Sequence, residues 1–295
     1  MTAGAGKQPL VIGLGEVLWD RFPDGDRLGG APANVAFHAA QLGARGVPVS
    51  RVGQDADGDR ILAELKEKGL SVEAIQRDPA RPTGTVQVTL DQGQPSYTIK
   101  EGAAWDALES TPQLQELAAR ADAVCFGTLA QRSPLSRHTL HDFVTRTAPS
   151  ALRLFDINLR QAFYDRDSVE FGLSHATVLK LNGDELRIVA ELFGHPFSTD
   201  AVCGWLFENF PLQWIALTHG AEGCELRSRI ETFRSAAPRV TCVDAVGAGD
   251  AFSAALIVSF LEGRSPQEAA DRANRIGAYV ASQPGAMPSL SPSLS

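Results

Sequence analysis

The sequence has no basic block, little cysteine and no long apolar run, and each lack removes a class of function. Across 295 residues, 27 Lys and Arg stand against 35 Asp and Glu, a net charge of −8. Binding nucleic acid by counterion release needs clustered positive charge, so no nucleic-acid partner is expected. An acidic chain can still hold a phosphate compound through local amides and metal. The four cysteines, Cys125, Cys203, Cys224 and Cys242, lie far apart and form no Cys-x-x-Cys. They read as small buried apolar residues in a reducing compartment. The six histidines show no His-Glu-x-x-His spacing for a metal. No apolar run approaches the ~20 residues that span a bilayer, so no membrane partner is expected. Met1 to Pro9 lacks the apolar core of a secretory signal, which predicts a cytoplasmic protein.

Two nucleotide signatures are missing as well. Gly4-Ala5-Gly6-Lys7-Gln8 lacks the P-loop spacing and the Ser/Thr after Lys. Gly13-x-Gly15 is followed by Leu18 where a dinucleotide fingerprint carries its third glycine. A P-loop kinase and an ordinary dehydrogenase are therefore disfavoured.

What is present is an alternation of strand and helix signals. Leu10–Gly15, Val47–Val52, Ala123–Gly127, Leu152–Asp156, Ala176–Leu181 and Trp214–Leu217 read as strands. Helices are predicted from Pro32 to Leu42, Asp57 to Lys68, Ser133 to Thr147 and Asp184 to Leu192. Another starts at the capping box Ser265-Pro266-Gln267-Glu268 and runs to about Ser282. Between Thr83 and Lys100 the period changes to two, which predicts a β-hairpin turning at Asp91-Gln92-Gly93-Gln94 with one polar face. Such a hairpin serves either as a flap over a site or as an edge that completes a sheet. The pattern predicts an α/β fold with a mainly parallel sheet and helices on both faces. Ligands of such folds collect beyond the carboxyl ends of the strands, where Asp20, Asn158, Arg160, Asn182, Glu185 and Thr218 are expected.

One stretch organises the rest. Cys242 to Phe252 reads as a strand end, a glycine turn and the start of a buried helix. Gly247 and Gly249 permit positive φ and a close backbone approach. The helix N-terminus leaves amides unpaired beside the positive end of its dipole, a candidate anion site. Asp250 at its mouth either takes a proton from a nucleophile that attacks the anion or merely caps the helix.

These residues resemble a family. Gly29-Gly30-Ala31-Pro32-Ala33-Asn34-Val35-Ala36 and Asp244-Ala245-Val246-Gly247-Ala248-Gly249-Asp250-Ala251-Phe252 are similar to the two signatures of the ribokinase-like (PfkB) carbohydrate kinases. Asp156-x-Asn158-x-Arg160, Asn182-x-x-Glu185 and Thr218-x-Gly220-x-x-Gly223 lie between them in the family's order. The resemblance spans Val11 to about Pro288. It implies one ribokinase-like α/β domain over residues 1–295, with a small β lid from about 16–30 and 83–106. It implies ATP as phosphoryl donor, Mg²⁺ as cofactor and a small sugar as acceptor. Asp250 is then the general base, and the amides of Gly247, Ala248 and Gly249 form the anion hole. Asp20, Gly30, Asn34, Trp105, Asp106 and Arg160 are assigned to the sugar. Asn182, Thr218, Gly220, Gly223 and Asn274 are assigned to the nucleotide. Glu185 and Asn182 would place Mg²⁺ through water, and Asp244 marks a candidate K⁺ site. Ala245, Ile157 and Gln283-Pro284-Gly285-Ala286 depart from the commonest family pattern, so at most modest K⁺ activation is expected. A free flap edge is compatible with a homodimer.

The acceptor is expected to be neutral, with fructose first. Thr83 to Asp106 contains Lys100 as its one basic residue, against Asp91, Glu101 and Asp106. Gly15-Glu16-Val17-Leu18-Trp19-Asp20 and Gly102-Ala103-Ala104-Trp105-Asp106 also resemble fructokinase-like members. Two alternatives stand. One is a nucleoside kinase of the same family, with Trp19, Phe22 and Trp105 as walls for a base. The other is a non-catalytic sugar-binding regulator, against which an intact Asp250 argues.

Overall fold

The computed structural model describes residues 8–91, 94–291 and 294, without the side chains of residues 88–97. In chain order its elements are β1 (Leu10–Leu14), β2 (Leu18–Phe22), β3 (Gly25–Gly29), α1 (Ala31–Gln41), β4 (Arg45–Gly53), α2 (Ala56–Glu67), β5 (Ile75–Asp78), β6 (Gly84–Asp91), β7 (Gln94–Ile99), α3 (Pro112–Arg120), β8 (Ala123–Phe126), α4 (Pro134–Arg146), β9 (Leu152–Asp156), α5 (Arg166–His175), β10 (Val178–Asn182), α6 (Gly183–Phe193), α7 (Thr199–Asn209), β11 (Trp214–Thr218), β12 (Cys224–Arg227), β13 (Thr232–Ser235), α8 (Ala248–Leu261) and α9 (Pro266–Ala281).

The strands form a nine-stranded sheet in the order β13-β12-β11-β10-β9-β8-β1-β4-β5. From β5 to β11 every pairing is parallel, and β12 and β13 close one edge antiparallel. Side-chain alternation on the strands feeds two cores. Leu10, Ile12 and Leu14 of β1 with Leu179 and Leu181 of β10 face the core that includes Leu140, Leu173 and Leu186 of α4, α5 and α6. Val11, Leu154 and Val178 face the opposite core with Val35 of α1, Leu256 of α8 and Ile276 of α9. The chain steps from β1 one way to β4 and β5, then returns to β8 on the other side of β1. That reversal makes the carboxyl end of β1 and β8 the switch point where such folds open a crevice.

A separate four-stranded sheet, β3-β2-β6-β7, stands on the segments after β1 and β5. The predicted hairpin is β6 paired antiparallel with β7, and β2 joins β6 in parallel. Gln92 and Gly93 of its expected turn, and the side chain of Thr89 on its polar face, lie outside the described residues, while Gln87 of that face is exposed. This sheet is tied to α2. Arg21 pairs with Asp57, Arg60 with Asp26 at 2.9 Å, and the Trp19 Nε1 donates to the Asp57 carbonyl at 3.0 Å.

Two local expectations are corrected. No strand precedes the glycine turn: residues 236–247 carry no regular element, and Val240 and Val243 are exposed. The sheet ends at β13, so that segment has no strand to pair with. Cys242 lies on the same segment and is exposed, whereas Cys125, Cys203 and Cys224 are buried as expected.

Candidate active site

Helices α1 and α8 lie side by side and begin at the same end of the sheet. Each needs a glycine at its start. Gly30, the N-cap of α1, has φ 112, and a Cβ there would sit 2.5 Å from the Glu16 carbonyl oxygen. Gly247, the N-cap of α8, has φ 80, and a Cβ would meet the Ala286 carbonyl oxygen at 2.6 Å. A side chain at either position is strained and clashes with backbone. Gly249 differs from the expectation: it lies within α8 without positive φ, and the reason for its missing side chain is a neighbour. The Lys180 Nζ lies 3.1 Å from where its Cβ would be.

The start of α8 leaves backbone donors free. Among the described residues the amides of Gly247, Gly249 and Asp250 have no acceptor, whereas the Ala248 N–H donates back to the Ala245 carbonyl at a long 3.3 Å. The Asp244 carboxylate fixes the turn. It accepts from the Val246 N–H at 3.0 Å and the Gly285 N–H at 3.1 Å, and Arg27 of β3 lies 3.4 Å away. One carboxylate thus joins the glycine turn, the closing loop and the four-stranded sheet.

Asp250 faces α1. The Asn34 Nδ2 donates to its Oδ2 at 2.7 Å, while the Asn34 Oδ1 is buried without a partner. Loss of water around the Asp250 carboxyl, reinforced by Asp156, pushes its pKa from 3.8 up to about 6, against the pull of Asn34, Lys180 and Arg160. Burial also lifts Asp20 to about 6, with Arg160 opposing, and Glu16 to about 7, with Asp250 adding to the rise. The Asp20 Oδ2 fills the space a Cβ on Gly29 would occupy. Asp20 sits on β2 of the smaller sheet, not at the end of a main-sheet strand as expected. Arg160 is exposed and is the cation that acts on Glu16, Asp20 and Asp250 together. Asn158 lines a cavity beside Glu16, Thr128 and Asp156 and takes the left-handed φ of 41 that asparagine tolerates better than most residues.

Further along the strand ends, Asn182 and Glu185 form a reciprocal capping box at α6. The Asn182 Oδ1 accepts from the Glu185 N–H at 2.9 Å, and the Glu185 Oε2 accepts from the Asn182 N–H at 2.8 Å. The Glu185 Oε1 accepts from the Leu159 N–H at 3.0 Å. Burial raises the Glu185 pKa, and Lys180 opposes the rise. Among the described residues no cluster of three or more His, Cys, Asp or Glu could hold a metal alone. A carboxylate whose oxygens already accept backbone donors fits Mg²⁺ through water, with phosphates and solvent as the inner ligands. Thr218 ends β11, Gly220 has φ 57 and Gly223 φ 111, and a Cβ on Gly223 would strike the Ser235 carbonyl oxygen at 2.0 Å. Asn274, on α9, is buried, and its Nδ2 donates to that Ser235 carbonyl at 2.9 Å. It braces β13 beside the Gly220–Gly223 turn.

Two residues assigned to the acceptor are committed elsewhere. Trp105 is 1% exposed. Gly84 lies against its Nε1 edge, and the Arg132 guanidinium stacks 4.0 Å from its ring centroid, so no face is left for a sugar. Asp106 makes a two-point pair with Arg132, Oδ1 to Nε and Oδ2 to Nη2, each at 2.8 Å, and caps the Ala103 N–H. Two residues that sequence reasoning did not assign belong to the site. Glu16 follows β1. Lys180, 9% exposed, pairs with Asp156 at 2.9 Å beneath the turn. Its signal was present: a lysine between Leu179 and Leu181 in a strand otherwise read as buried.

The sequence and fold have clear relatives. The profile of the pfkB family carbohydrate kinases matches residues 25–293. A fructokinase of Escherichia coli is 30% identical over 94% of this chain and 94% of its own. An uncharacterised sugar kinase of Pyrococcus horikoshii superposes with a TM-score of 0.81 at 26% identity, covering 94% of this chain and 93% of the other. A fructokinase of Xylella fastidiosa solved with bound ATP superposes with a TM-score of 0.84 at 23% identity, covering 94% of each chain. A nearly full-length profile match, full-length relatives and a shared fold around the glycine turn agree: the chain belongs to the pfkB family of carbohydrate kinases and is an ATP-dependent carbohydrate kinase.

Proposed function

We propose that the protein transfers the γ-phosphoryl group of ATP to a hydroxyl of a neutral sugar, most favourably fructose. The observation that carries the neutral acceptor is the charge around Asp250. Glu16, Asp20 and Asp250 crowd together with carboxyl pKa values lifted to about 7, 6 and 6. A phosphorylated acceptor would bring nearly two more negative charges. Arg21 is engaged with Asp57, Arg27 with Asp24 and Asp244, and Arg132 with Asp106, which among the described residues leaves Arg160 as the one exposed cation set against the three carboxyl groups. Carboxylates and amides instead suit hydroxyls. Trp19 and Trp105 are buried, and Arg27 covers Phe22 at 4.2 Å from its ring centroid, so the aromatic walls of a nucleoside site lose their support.

In this reading Asp250 takes the hydroxyl proton while the hydroxyl oxygen attacks the γ-phosphorus. The Asn34 amide orients Asp250, and its unpartnered Oδ1 is free to accept from the sugar. The amides of the 247–250 turn hold the transferring phosphoryl group, and catalysis is mostly positioning and charge stabilisation. Gly30 and Asp20 border the sugar, and Thr218, Gly220 and Gly223 border the nucleotide. Mg²⁺, when bound with the nucleotide, neutralises phosphate charge. The four-stranded sheet serves as the lid that keeps water from the γ-phosphate. The edge of β7, unpaired among the described residues, supplies a surface for a second copy. ATP as donor and four unpaired cysteines favour the cytoplasm. An ATP-turnover assay over a panel of sugars tests the reading. Turnover with fructose and not with adenosine supports it, and binding of sugar without turnover would transfer support to the regulator.

A further inference from the structure

Lys180 is in the wrong place for stability. It is a buried ammonium under the first turn of α8, where the helix presents its positive end and unpaired amides. A cation there is repelled by the dipole, and burial adds a desolvation cost. It interrupts the otherwise apolar and buried run of β10 between Leu179 and Leu181. The surroundings are arranged to hold it charged. Asp156 accepts from the Nζ with Oδ1 at 2.9 Å, and the Ser253 hydroxyl donates to Oδ2 at 2.9 Å, so the counter-ion is fixed from both oxygens. Burial acts against the ammonium, but Asp156, Glu185 and Asp250 outweigh it and lift its pKa. Among the described residues its hydrogen bond to Asp156 is the one it makes. An ammonium carries three donors, so two are unspent. Position 249 is glycine where the backbone conformation does not demand one, and the Nζ stands 3.1 Å from the vacant Cβ position. A buried cation with spare donors, beside free amides and with a glycine making way for it, is configured for an anion.

We propose that Lys180 is the cation of the phosphoryl-transfer site, donating to the transferring phosphoryl group of the nucleoside triphosphate where the 247–250 amides hold it. The inference rests on the assignment of that turn as the anion hole. In the step, the bond between the sugar oxygen and the γ-phosphorus forms while the bond from that phosphorus to the β–γ bridging oxygen breaks. The hydroxyl proton goes to Asp250, the electron pair leaves with ADP, and Lys180 keeps its protons throughout. This chain, without a P-loop lysine, thereby supplies one from the interior of a central strand. Asp156 is a positioning residue that holds the ammonium under the turn.

The test compares Lys180→Met, the double variant Lys180→Met/Asp156→Asn and Asp250→Asn, each checked for folding by circular dichroism. Loss of one charge-stabilising donor predicts a kcat lowered about 10²–10³-fold. ADP affinity should change little, while the affinity for ADP with aluminium fluoride and fructose falls in step with kcat. The loss should persist at pH 9, where Asp250 is ionised with or without its neighbour. The double variant removes the buried charge of Asp156 and so keeps the test open if Lys180→Met fails to fold; its kcat should stay low. A folded Lys180→Met with near-normal kcat, recovery at pH 9, or recovery in the double variant would each overturn the proposal. Asp250→Asn separates the two levels of the argument. If it retains full activity, the proposed function's reading of Asp250 as the base beside the anion hole fails. If it is inactive while Lys180→Met is active, the role of Lys180 alone falls.

Discussion

Replacing Asp250 by Asn should make the protein more stable and nearly inactive, and the stability gain should depend on pH. The carboxyl has a folded-state pKa of about 6 against an ordinary 3.8, because it is withdrawn from water beside Asp156. The folded protein therefore binds this proton more tightly than the unfolded chain. Stability falls as pH rises through that window, and the full cost is present above about 6. At about 1.4 kcal/mol per pH unit, a lift from 3.8 to about 6 corresponds to about 3 kcal/mol. Asp250 is half-buried as a residue, and solvent screening discounts that figure, so about 1–3 kcal/mol is the expected gain at pH 8. Asn cannot ionise, and its amide oxygen can still accept from the Asn34 Nδ2. For a chain of this size the gain is a rise of several degrees in Tm. Below pH 3.8 both states are protonated and the gain should vanish. Urea unfolding of both proteins at pH 4 and pH 8 measures it. In the same preparation kcat should fall about 10²–10⁴-fold, the usual worth of a general base. The wild-type acid limb of kcat/KM should titrate near pH 6 as a property of the coupled carboxylates. An unchanged stability difference between the two pH values, or a variant no more stable at pH 8, would refute the electrostatic reasoning.

Three further outcomes are expected. Gly247→Ala forces a side chain into φ 80 and into the Ala286 backbone, so it should destabilise the fold by about 1–3 kcal/mol and abolish turnover, measured by thermal unfolding and an ATP assay. Glu185→Gln should raise the Mg²⁺ concentration needed for half-maximal rate more than it raises the sugar KM, and an unchanged Mg²⁺ titration would remove Glu185 from metal placement. Replacing K⁺ by a tetraalkylammonium salt should change the rate by no more than a few-fold, since Arg27 already sets a positive charge 3.4 Å from Asp244; a rate that collapses would show that a bound cation orders the closing loop.

The central strands were legible because a parallel sheet buried on both faces leaves continuous apolar runs, as in Leu10–Leu14 and Trp214–Thr218. Capping chemistry marked α9 at Ser265 and Glu268 for the same reason: the signal is local. The outer elements were not. The strands β2 and β3 carry Asp20, Arg21, Asp26 and Arg27, and the partners of Arg21 and Asp26 lie on α2, distant in sequence, so no alternation shows. Helices α3, α5 and α7 pack one narrow face, and β12 and β13 are short strands at the antiparallel end of the sheet. For the site, Asn34 and Asp250 came from motifs and lie 2.7 Å apart. Trp105 and Asp106 shared a motif with the acceptor residues, yet their roles were decided by Arg132, which no local pattern connects to them. Lys180 was overlooked because its partners, Asp156 and Gly249, come from other elements.

The claim that this site takes a neutral sugar is tested most directly by the ratio of kcat/KM for fructose to that for fructose 6-phosphate, at one ATP concentration and with ribose, 2-keto-3-deoxygluconate and adenosine alongside. The crowded carboxylates at Glu16, Asp20 and Asp250 predict that fructose is used best and that its phosphate is a poor acceptor. A clear preference for fructose 6-phosphate would contradict the charge argument, and a preference for adenosine would give the site to a nucleoside.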